Sequence, residues 1–319
     1  MIDPGLYIGR EQTYVKHFVL REYLERVAWN IYSFSDEFVY VDGFSGPWKS
    51  ANENYEDTSF KIALDQLRKI RDDIKDSLDK DVTFRCFFIE KDKVAFHELS
   101  QIVQAIDDVD IEIVNGKFEN AVEQVCSFAG RSFALVLIDP TGWQGFPMLK
   151  IEPLLRIRGE VLITFMSDFI NRFIEDPRAE IAASFDDLFG PDWYPEWVAL
   201  HDQGLSREAA AIKVYTSRLK QRSSFKFVTS TRILKPRSDR SYFYLIYGTE
   251  HWKGVSEFRK VEQRAIEAQE RVRNAAKYTG EIDRTGQSSF FGEGLVDTPI
   301  KTYEAERETQ LKRGYDTNG

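Results

Sequence analysis

The sequence has few of the residues that build disulfide or metal-held frameworks. Only two of its 319 residues are cysteine, Cys86 and Cys126, and only four are histidine. Two cysteines are too few for a disulfide framework or a cysteine-based zinc site, and the scattered histidines form no HExxH pattern. Neither cysteine has the linked histidine and asparagine pattern of a thiol nucleophile. The sequence therefore predicts no metal site and no cysteine catalysis.

Long apolar runs and export signals are also missing. No stretch approaches the 18 consecutive apolar residues of a membrane-spanning helix, and residues 1–10 lack the basic and apolar regions of a secretory signal. A composition of 42% hydrophobic and 14% aromatic residues excludes disorder throughout the chain. We therefore expect a cytoplasmic protein with no membrane partner.

Charge is unevenly distributed along the chain. The formal net charge is −9, yet residues 213–240 hold nine basic residues and one acidic residue. Ser, Thr, Phe and Tyr lie between these cations, a composition that suits phosphate contact and base stacking. The alternative is a solvated basic face that balances the acidic remainder. The candidate nucleic-acid-binding residues are Lys213, Arg218, Lys220, Arg222, Lys226, Arg232, Lys235, Arg237 and Arg240.

Apolar β-rich runs alternate with helical patterns in the first half of the chain. The predicted strands are residues 38–42, 82–90, 111–114, 133–139 and 161–165. The predicted helices are residues 16–30, about 58–71, 94–106 and 120–128. Continuous apolar strands separated by amphipathic helices are typical of a parallel sheet that is covered on both faces.

A different pattern follows the fifth strand. Residues 170–224 have a mostly helical pattern. Two β-rich runs follow, at 225–234 and 242–248, and the short turn between them predicts an antiparallel hairpin. A long polar helix is expected over residues 255–278. We predict a doubly wound, mainly parallel α/β sheet of the Rossmann-like, class I methyltransferase type, with a helical insertion at about 170–224 and a terminal hairpin. Residues 1–278 would form this domain, and residues 279–319 a polar tail that is mobile or ordered only against a partner.

Strand ends nominate a ligand site, because open α/β sheets bind ligands beyond the carboxyl ends of their strands. The first end is a glycine-containing turn, Asp42–Gly43–Phe44–Ser45–Gly46, where a cofactor can approach the backbone. It has neither the GxGxxG nor the GxxxxGK[ST] pattern, which excludes a P-loop enzyme, and Trp48 stands where a third glycine could be expected. Glu90, at the second end, can accept hydrogen bonds from ribose hydroxyls, the alternative being a solvated strand end.

The fourth strand end combines Asp139, Pro140 and Trp143. This carboxylate could accept the N–H groups of a flat amine-bearing substrate while the indole stacks on it. The alternative is a strand end that only caps the following helix. Lys16 and His17 open the first helix and, from the residues alone, could equally form a solvated helix face.

Several segments together resemble the three-Cys-motif partner family, bacterial and phage proteins named after a neighbouring protein with a three-cysteine motif. The matching segments are KHFVLREYL, YVDGFSGPW, DTSFKIAL, FFIEKD, GKFEN, LIDPTGWQGFP, EVLITFM, YFYLIYGTEHWKG and TGQSSFFGEG, between residues 16 and 294. The resemblance implies an S-adenosylmethionine-dependent methyltransferase fold and a three-Cys-motif protein, encoded nearby, as partner.

A more distant resemblance is to the bacterial large-subunit ribosomal RNA adenine-N6 methyltransferases, which share the Lys-His pair, the first turn and the Asp-Pro strand end. By this likeness, Lys16 and His17 contact the methionine part of the cofactor and Gly43 to Gly46 form the backbone-approach turn. The same likeness assigns the ribose to Glu90, the adenine to Phe118 and Glu119, and the target amine to Asp139.

One departure from that pattern keeps a second hypothesis open. The adenine-N6 enzymes have Asp-Pro-Pro-aromatic, whereas this chain has Asp139-Pro140-Thr141-Gly142-Trp143. The leading hypothesis is methyl transfer from S-adenosylmethionine to a nucleic acid. The alternative is a non-catalytic methyltransferase-fold protein that binds nucleic acid or presents it to the three-Cys-motif partner, which Trp48 and the altered motif favour.

Overall fold

The computed structural model describes residues 3–46, 50 and 54–285, with side chains described up to residue 277. Within that part of the chain, seven strands form one sheet. They are β1 (Glu37–Asp42), β2 (Thr83–Glu90), β3 (Asp110–Asn115), β4 (Phe133–Ile138), β5 (Gly159–Phe165), β6 (Phe227–Leu234) and β7 (Ser241–Thr249).

Helices connect the strands and cover the sheet. They are α1 (Glu11–Tyr32), α2 (Ser59–Leu78), α3 (Lys93–Gln104), α4 (Phe118–Ala129), α5 (Met148–Ile151), α6 (Ser167–Phe173), α7 (Ala179–Phe189), α8 (Trp193–Asp202), α9 (Arg207–Arg222) and α10 (Trp252–Thr285). Four of these helices, α6 to α9, fill the stretch between β5 and β6. No helix in the described part of the chain is long and apolar enough to cross a membrane.

The strands follow the order β3-β2-β1-β4-β5-β7-β6, and β7 runs antiparallel to both of its neighbours. The other six strands share one direction, so their carboxyl ends lie along one edge, here called the carboxyl edge. The opposite edge, where these six strands begin and β7 ends, is the amino edge. This order and the reversed β7 define a class I methyltransferase-like fold. The predicted fold class and its terminal hairpin are confirmed.

Apolar side chains fill the space on both faces of the sheet. Every residue of β4 and β5 is buried. Successive residues of β1 alternate between two cores, Phe38 and Tyr40 facing the layer with α1, α2 and α10, and Val39 and Val41 facing the layer with α4, α7 and α9. Both sides of each central strand therefore need apolar residues, which explains the continuous apolar runs of the sequence.

A buried polar network joins the sheet to the helices at the amino edge. The hydroxyl of Tyr23 donates to Glu160 Oε2 at 2.5 Å and lies 2.6 Å from the hydroxyl of Tyr247. The hydroxyl of Thr249 donates to the other oxygen of Glu160 at 2.8 Å, and burial raises the pKa of this carboxyl. A Cβ added at Gly254 would lie 2.4 Å from both Glu160 Oε1 and the Tyr247 hydroxyl, so the first turn of α10 closes on the network only with glycine there.

Three helices extend well beyond their predicted ranges. α1 begins at Glu11 rather than residue 16, and α2 continues to Leu78 because Ile70 and Ile74 extend its buried stripe. α10 continues to Thr285, past the predicted boundary at 278. Residues 286–319 of the predicted tail lie outside the described residues.

Candidate cofactor and active site

The carboxyl edge holds a cleft of about 680 Å³. This volume falls within the range of small-molecule and cofactor sites. Most of the predicted cofactor and catalytic residues line it. They are Lys16, His17, Gly43, Phe44, Gly46, Glu90, Phe118, Glu119, Asp139 and Trp143. The remaining three, Asp42, Ser45 and Pro140, are buried and do not line the cleft.

The turn after β1 is fixed by its neighbours in the sheet. The amide of Gly43 donates to the carbonyl of Leu137 in β4 at 3.0 Å, and the amide of Ser45 donates to the carbonyl of Ile89 in β2 at 2.9 Å. The Ser45 hydroxyl donates to the carbonyl of Asp42 at 2.7 Å. The turn is thereby anchored to the strands on either side of β1, and Gly43 and Gly46 are left facing the cleft.

An aromatic ring lies directly against Gly43. A Cβ added at this residue would meet the ring of Phe118 at 2.7 Å, closer than real contacts allow. Phe118 is the first residue of α4 and is 2% exposed, and its ring lies 5.7 Å from that of Phe44. The two rings give this side of the cleft an apolar surface that is suited to a flat heterocycle.

Glu90 lies at the end of β2 with its carboxylate at the cleft. It is 3% exposed, and its Oε1 accepts a hydrogen bond from the amide of Asp92 at 2.6 Å. The carbonyl of Glu90 accepts from the Asn115 side chain at 2.9 Å and from the amide of Gly116 at 3.0 Å. These bonds hold the strand end, so that Glu90 presents a positioned hydrogen-bond acceptor.

Asp42 is fully buried below the cleft floor. Its Oδ1 accepts from the amide of Phe44 at 3.0 Å. Burial raises the pKa of this carboxyl to about 6, against the hydrogen bonds from Ser59 and the Phe44 amide, and the charge of Asp139 raises it further. Asp42 therefore changes protonation state in the physiological range.

Lys16 and Asp139 form an ion pair across the cleft. The Nζ of Lys16, on α1, contacts Oδ2 of Asp139, the residue that follows β4. Their side chains are only 15% and 13% exposed. The carboxylate that the sequence assigns to a target amine thus already has a cationic partner. A substrate amine would have to share this carboxylate with Lys16 or displace it.

His17 is buried and carries no positive charge at neutral pH. Burial, together with the adjacent Lys16 ammonium, holds the pKa of this imidazole well below its usual value. Its Nδ1 lies 3.0 Å from the hydroxyl of Tyr7. The Lys-His pair predicted from sequence therefore comprises one charged residue in an ion pair and one neutral residue at the cleft wall.

Trp143 belongs to an aromatic cluster at the far wall. Its ring stacks on Phe185 at 5.6 Å with an interplanar angle of 14°, and Phe169 and Phe173 lie within 6.0 Å of it. The indole Nε1 donates to the hydroxyl of Ser184 in α7 at 2.9 Å. Trp143 is therefore a fixed part of the wall with one face already covered by Phe185.

Other cleft residues were not singled out from the sequence. The guanidinium of Arg10 binds Asp57 at 2.6 Å, and the hydroxyl of Ser50 donates to the same carboxylate at 2.7 Å. Asp57 lies just before α2, whose preceding residue is Thr58. Glu180 and Asp187 enter from α7. Their positions depend on tertiary packing, and no sequence motif marks them.

The cleft lining carries more negative than positive charge. Its cations are Arg10, Lys16, Lys91 and Lys117. Its carboxylates are Asp57, Glu90, Glu119, Asp139, Glu180 and Asp187. This formal excess of two negative charges suits a ligand with a positive centre better than a bare polyanion. Among the described residues, no group of three or more His, Cys, Asp or Glu side chains could hold a metal ion.

The nine candidate nucleic-acid-binding residues do not lie together on one surface. β6 spans roughly 26 Å at about 3.3 Å per residue, and the stretch runs along it from one edge of the sheet to the other. Four of the cations lie at or near the amino edge: Arg218, Lys220, Arg222 and Lys226. Four lie at or near the carboxyl edge: Arg232, Lys235, Arg237 and Arg240. Lys213 is exposed in the middle of α9.

Several of these cations are engaged within the protein. Arg218 pairs with Glu196 at 3.3 Å, Arg222 with Glu152 at 3.0 Å and Lys235 with Asp168 at 2.8 Å. At the carboxyl edge, Arg232 and Arg240 line a smaller polar cavity of about 160 Å³ beside the main cleft. Trp48, which stands in the sequence where a third glycine could be expected, lies outside the described residues.

No model of a known protein family and no curated protein matches the sequence. Among solved structures, a Legionella pneumophila protein of the DUF519 family is 10% identical with a TM-score of 0.46, over 81% of this chain and 92% of that one. Loganic acid methyltransferase with SAH is 11% identical with a TM-score of 0.36, over 88% and 91%.

The methyltransferase (CMeT) domain of the citrinin polyketide synthase is 10% identical with a TM-score of 0.32, over 68% of this chain and 47% of that one. Similarities at these sequence identities and TM-scores do not support an inference about function. The methyltransferase-like fold is defined by the strand order itself.

Proposed function

We propose that this protein binds S-adenosylmethionine in the carboxyl-edge cleft and transfers its methyl group to an amine of a nucleic acid. The observation that carries the proposal is the convergence of the Gly43 turn, Glu90 and Asp139 on one cleft. These residues come from three separate strand ends. Their meeting point is the ligand position expected of a doubly wound sheet.

The donor and acceptor groups of the cleft fit the cofactor. Glu90 offers a positioned carboxylate to the two ribose hydroxyls. Phe118 supplies an apolar surface for the adenine, with Glu119 beside it on the same helix end. Gly43 and Gly46 allow close backbone approach, and the negative excess of the lining favours the cationic sulfonium.

Asp139 is the residue proposed to orient the acceptor amine. Its carboxylate would accept an N–H bond from the amine, which would share the carboxylate with Lys16 or displace Lys16 from it. Trp143 forms the rigid wall against which a planar acceptor lies. When bound, the cofactor supplies the activated methyl group. The chain contributes positioning and electrostatic stabilisation rather than covalent catalysis.

A nucleic-acid acceptor and a three-Cys-motif partner complete the proposal. Support for the acceptor comes from Arg232, Arg237 and Arg240, which lie at the same edge of the sheet as the cleft. Support for the partner comes from the sequence segments that resemble the three-Cys-motif partner family. A neutral base inserted into the cleft would leave its phosphates outside, near these arginines.

A second candidate function is non-catalytic binding of nucleic acid or presentation of it to the partner. The Lys16–Asp139 ion pair favours it, because the proposed catalytic carboxylate already has a partner. Methyl transfer distinguishes the two candidate functions, because both are compatible with cofactor binding.

The first test is calorimetric binding of S-adenosylmethionine and S-adenosylhomocysteine to the full-length protein. We expect binding by the wild type and its loss in Glu90→Ala, with Glu112→Ala, an exposed residue of β3, as matched control. A ligand at 100 times its Kd should also stabilise the fold by about 2.7 kcal/mol. Failure of the wild type to bind either compound would refute the proposal.

The second test is methyl transfer from radiolabelled cofactor to DNA and RNA oligonucleotides, with and without the three-Cys-motif protein. Methyl transfer that is lost in Asp139→Asn, while cofactor binding persists, supports the enzyme. Cofactor binding without transfer in any mixture identifies the non-catalytic function instead.

A further inference from the structure

The amino edge of the sheet carries a group of cations that have no acidic partner. They are Arg131, Arg158, Lys220, Lys226 and Lys253. Among the described residues, no carboxylate lies within 4.0 Å of any of them, although 27 such ion pairs occur elsewhere. Unpaired cations in a protein of net charge −9 keep their full attraction for an anionic partner.

Exposed aromatic rings lie at the same edge. Phe34 is 63% exposed, Phe227 is 40% exposed and Trp252 is 60% exposed. They are three of the four large aromatic side chains that are exposed in the described part of the chain, the fourth being Tyr194. The guanidinium of Arg158 lies 5.9 Å from the centre of the Phe34 ring. Large apolar rings left in water beside cations are typical of interaction surfaces.

Strand register places these groups in one continuous band. Phe227 of β6 pairs with Thr249 of β7, which in turn pairs with Glu160 of β5. Gly159 pairs with Ala134 of β4, and β4 adjoins β1, whose preceding loop contains Phe34. At about 4.8 Å per strand, the band from β1 to β6 is roughly 19 Å long. That length spans a few nucleotides of an extended strand.

Acidic residues along the band are mostly neutralised. Asp36 pairs with Lys80 at 2.8 Å and Glu37 with Arg85 at 2.7 Å. Glu152 pairs with Arg222 at 3.0 Å. The exposed carboxylate of Glu250 is the remaining acidic group beside Trp252. The band therefore keeps a clear positive excess.

We propose that the amino edge binds single-stranded nucleic acid, through phosphate contacts from the unpaired cations and base stacking on Phe34, Phe227 and Trp252. Cations interleaved with exposed rings are what sequence-tolerant single-strand binding requires. A merely acidic protein partner would need the cations but not the rings. The site lies across the sheet from the cleft and does not depend on the proposed methyl transfer.

The test is fluorescence anisotropy of labelled dT20 and U20 with the full-length protein over a range of salt concentrations, without cofactor. The variant Arg158→Ala/Lys226→Ala/Lys253→Ala should lower the slope of log K against log salt by about 2, since each single-strand phosphate contact contributes about 0.7. Trp252→Ala should weaken binding roughly 5- to 100-fold, the range for loss of one stacked base.

The matched control is Lys93→Ala/Arg271→Ala, which removes two exposed cations that lie neither at the amino edge nor in the cleft lining. It should leave both slope and affinity unchanged, and thermal melting checks that all variants are folded. Equal loss of binding in this control and in the triple variant would overturn the proposal, as would binding that is insensitive to Trp252→Ala. Competition by polyglutamate as strong as that by dT20 would assign the edge to an acidic protein.

Discussion

Gly43 is the residue on which the geometry of the cleft floor depends. A Cβ at this position would lie 2.7 Å from the ring of Phe118, so any side chain forces α4 away from the turn. We expect Gly43→Ala to destabilise the fold by about 1–3 kcal/mol, the usual cost of overpacking, and to weaken cofactor binding. Gly142→Ala is the control, because a Cβ there meets nothing within 4 Å. Urea unfolding and calorimetry would measure both effects, and equal stability of the two variants would contradict the prediction.

Asp42 should make the folded protein less stable as the pH rises, the opposite of the usual effect of a carboxyl group. Burial raises the pKa of its carboxyl from 3.8 to about 6, so the unfolded chain releases this proton first as pH rises. The contribution of Asp42 to the free energy of unfolding is therefore fully present below pH 4 and is lost as the pH rises from about 4 to 6. The loss amounts to about 3 kcal/mol.

Asp42→Asn, which keeps the acceptor for the Phe44 amide, removes this dependence. The free energy of unfolding of the variant relative to wild type should rise by about 3 kcal/mol between pH 4 and pH 7, measured by urea titration at each pH. A difference that stays constant over this range would show that Asp42 does not have the raised pKa.

At the scale of elements, the hairpin of β6 and β7 is held to α10 by Arg273. Its side chain is 4% exposed and donates to the carbonyls of Lys235 and Ser238, both at 3.1 Å, and to Asp239 at 2.5 Å. These groups belong to the loop that also carries Arg237 and Arg240. One buried side chain on α10 thus positions this loop at the carboxyl edge.

Loss of Arg273 should loosen this loop. We expect Arg273→Ala to cost about 2 kcal/mol, because two half-buried backbone carbonyls lose a charged donor, and to speed hydrogen exchange in residues 235–240. Arg271→Ala, on the exposed side of the same helix, is the control and should change stability by less than about 0.5 kcal/mol. Exchange in the loop that is equal in both variants would count against this role of Arg273.

Sequence predicted the elements well where one physical cause dominates. Parallel strands buried on both faces require apolar runs, and such runs marked β1, β2, β4 and β5, whereas the edge strand β3 was marked only by the short run 111–114. The strand ends were also predictable, since parallel strands bring Asp42, Glu90 and Asp139 to one edge wherever they lie in the chain. The Arg10–Asp57 ion pair and the α7 residues that line the cleft were not predictable, because helix packing determines their positions. The division of the basic stretch between the two edges of the sheet could not be predicted either, because it depends on where β6 begins and ends.

For the whole molecule, the cleft and the amino edge are separated by the full length of the central strands. The strands of six to eight residues place roughly 20–26 Å between them. The two sites share no residue, and the sheet between them is fully packed. We therefore expect them to bind their ligands with little coupling.

A calorimetric titration checks this independence. The Kd for S-adenosylmethionine should change by less than about twofold when dT8 saturates the amino edge, which corresponds to a negligible coupling free energy. The Arg158→Ala/Lys226→Ala/Lys253→Ala variant should keep the wild-type Kd for the cofactor. A tenfold change in either experiment would mean that the sheet transmits occupancy from one edge to the other.

The position of β7 between β5 and β6 has a consequence for biosynthesis. β7, which lies between β5 and β6 in the sheet, is synthesised after β6. When β6 leaves the ribosome, its neighbour in the sheet does not yet exist, so β6 cannot pair. The backbone edge of β5 remains unpaired while residues 166–240 are translated, and β7 closes it as residues 241–249 emerge. Nascent chains of this protein thus carry an open strand edge for about 75 codons, the interval in which a chaperone that shields such edges would matter most.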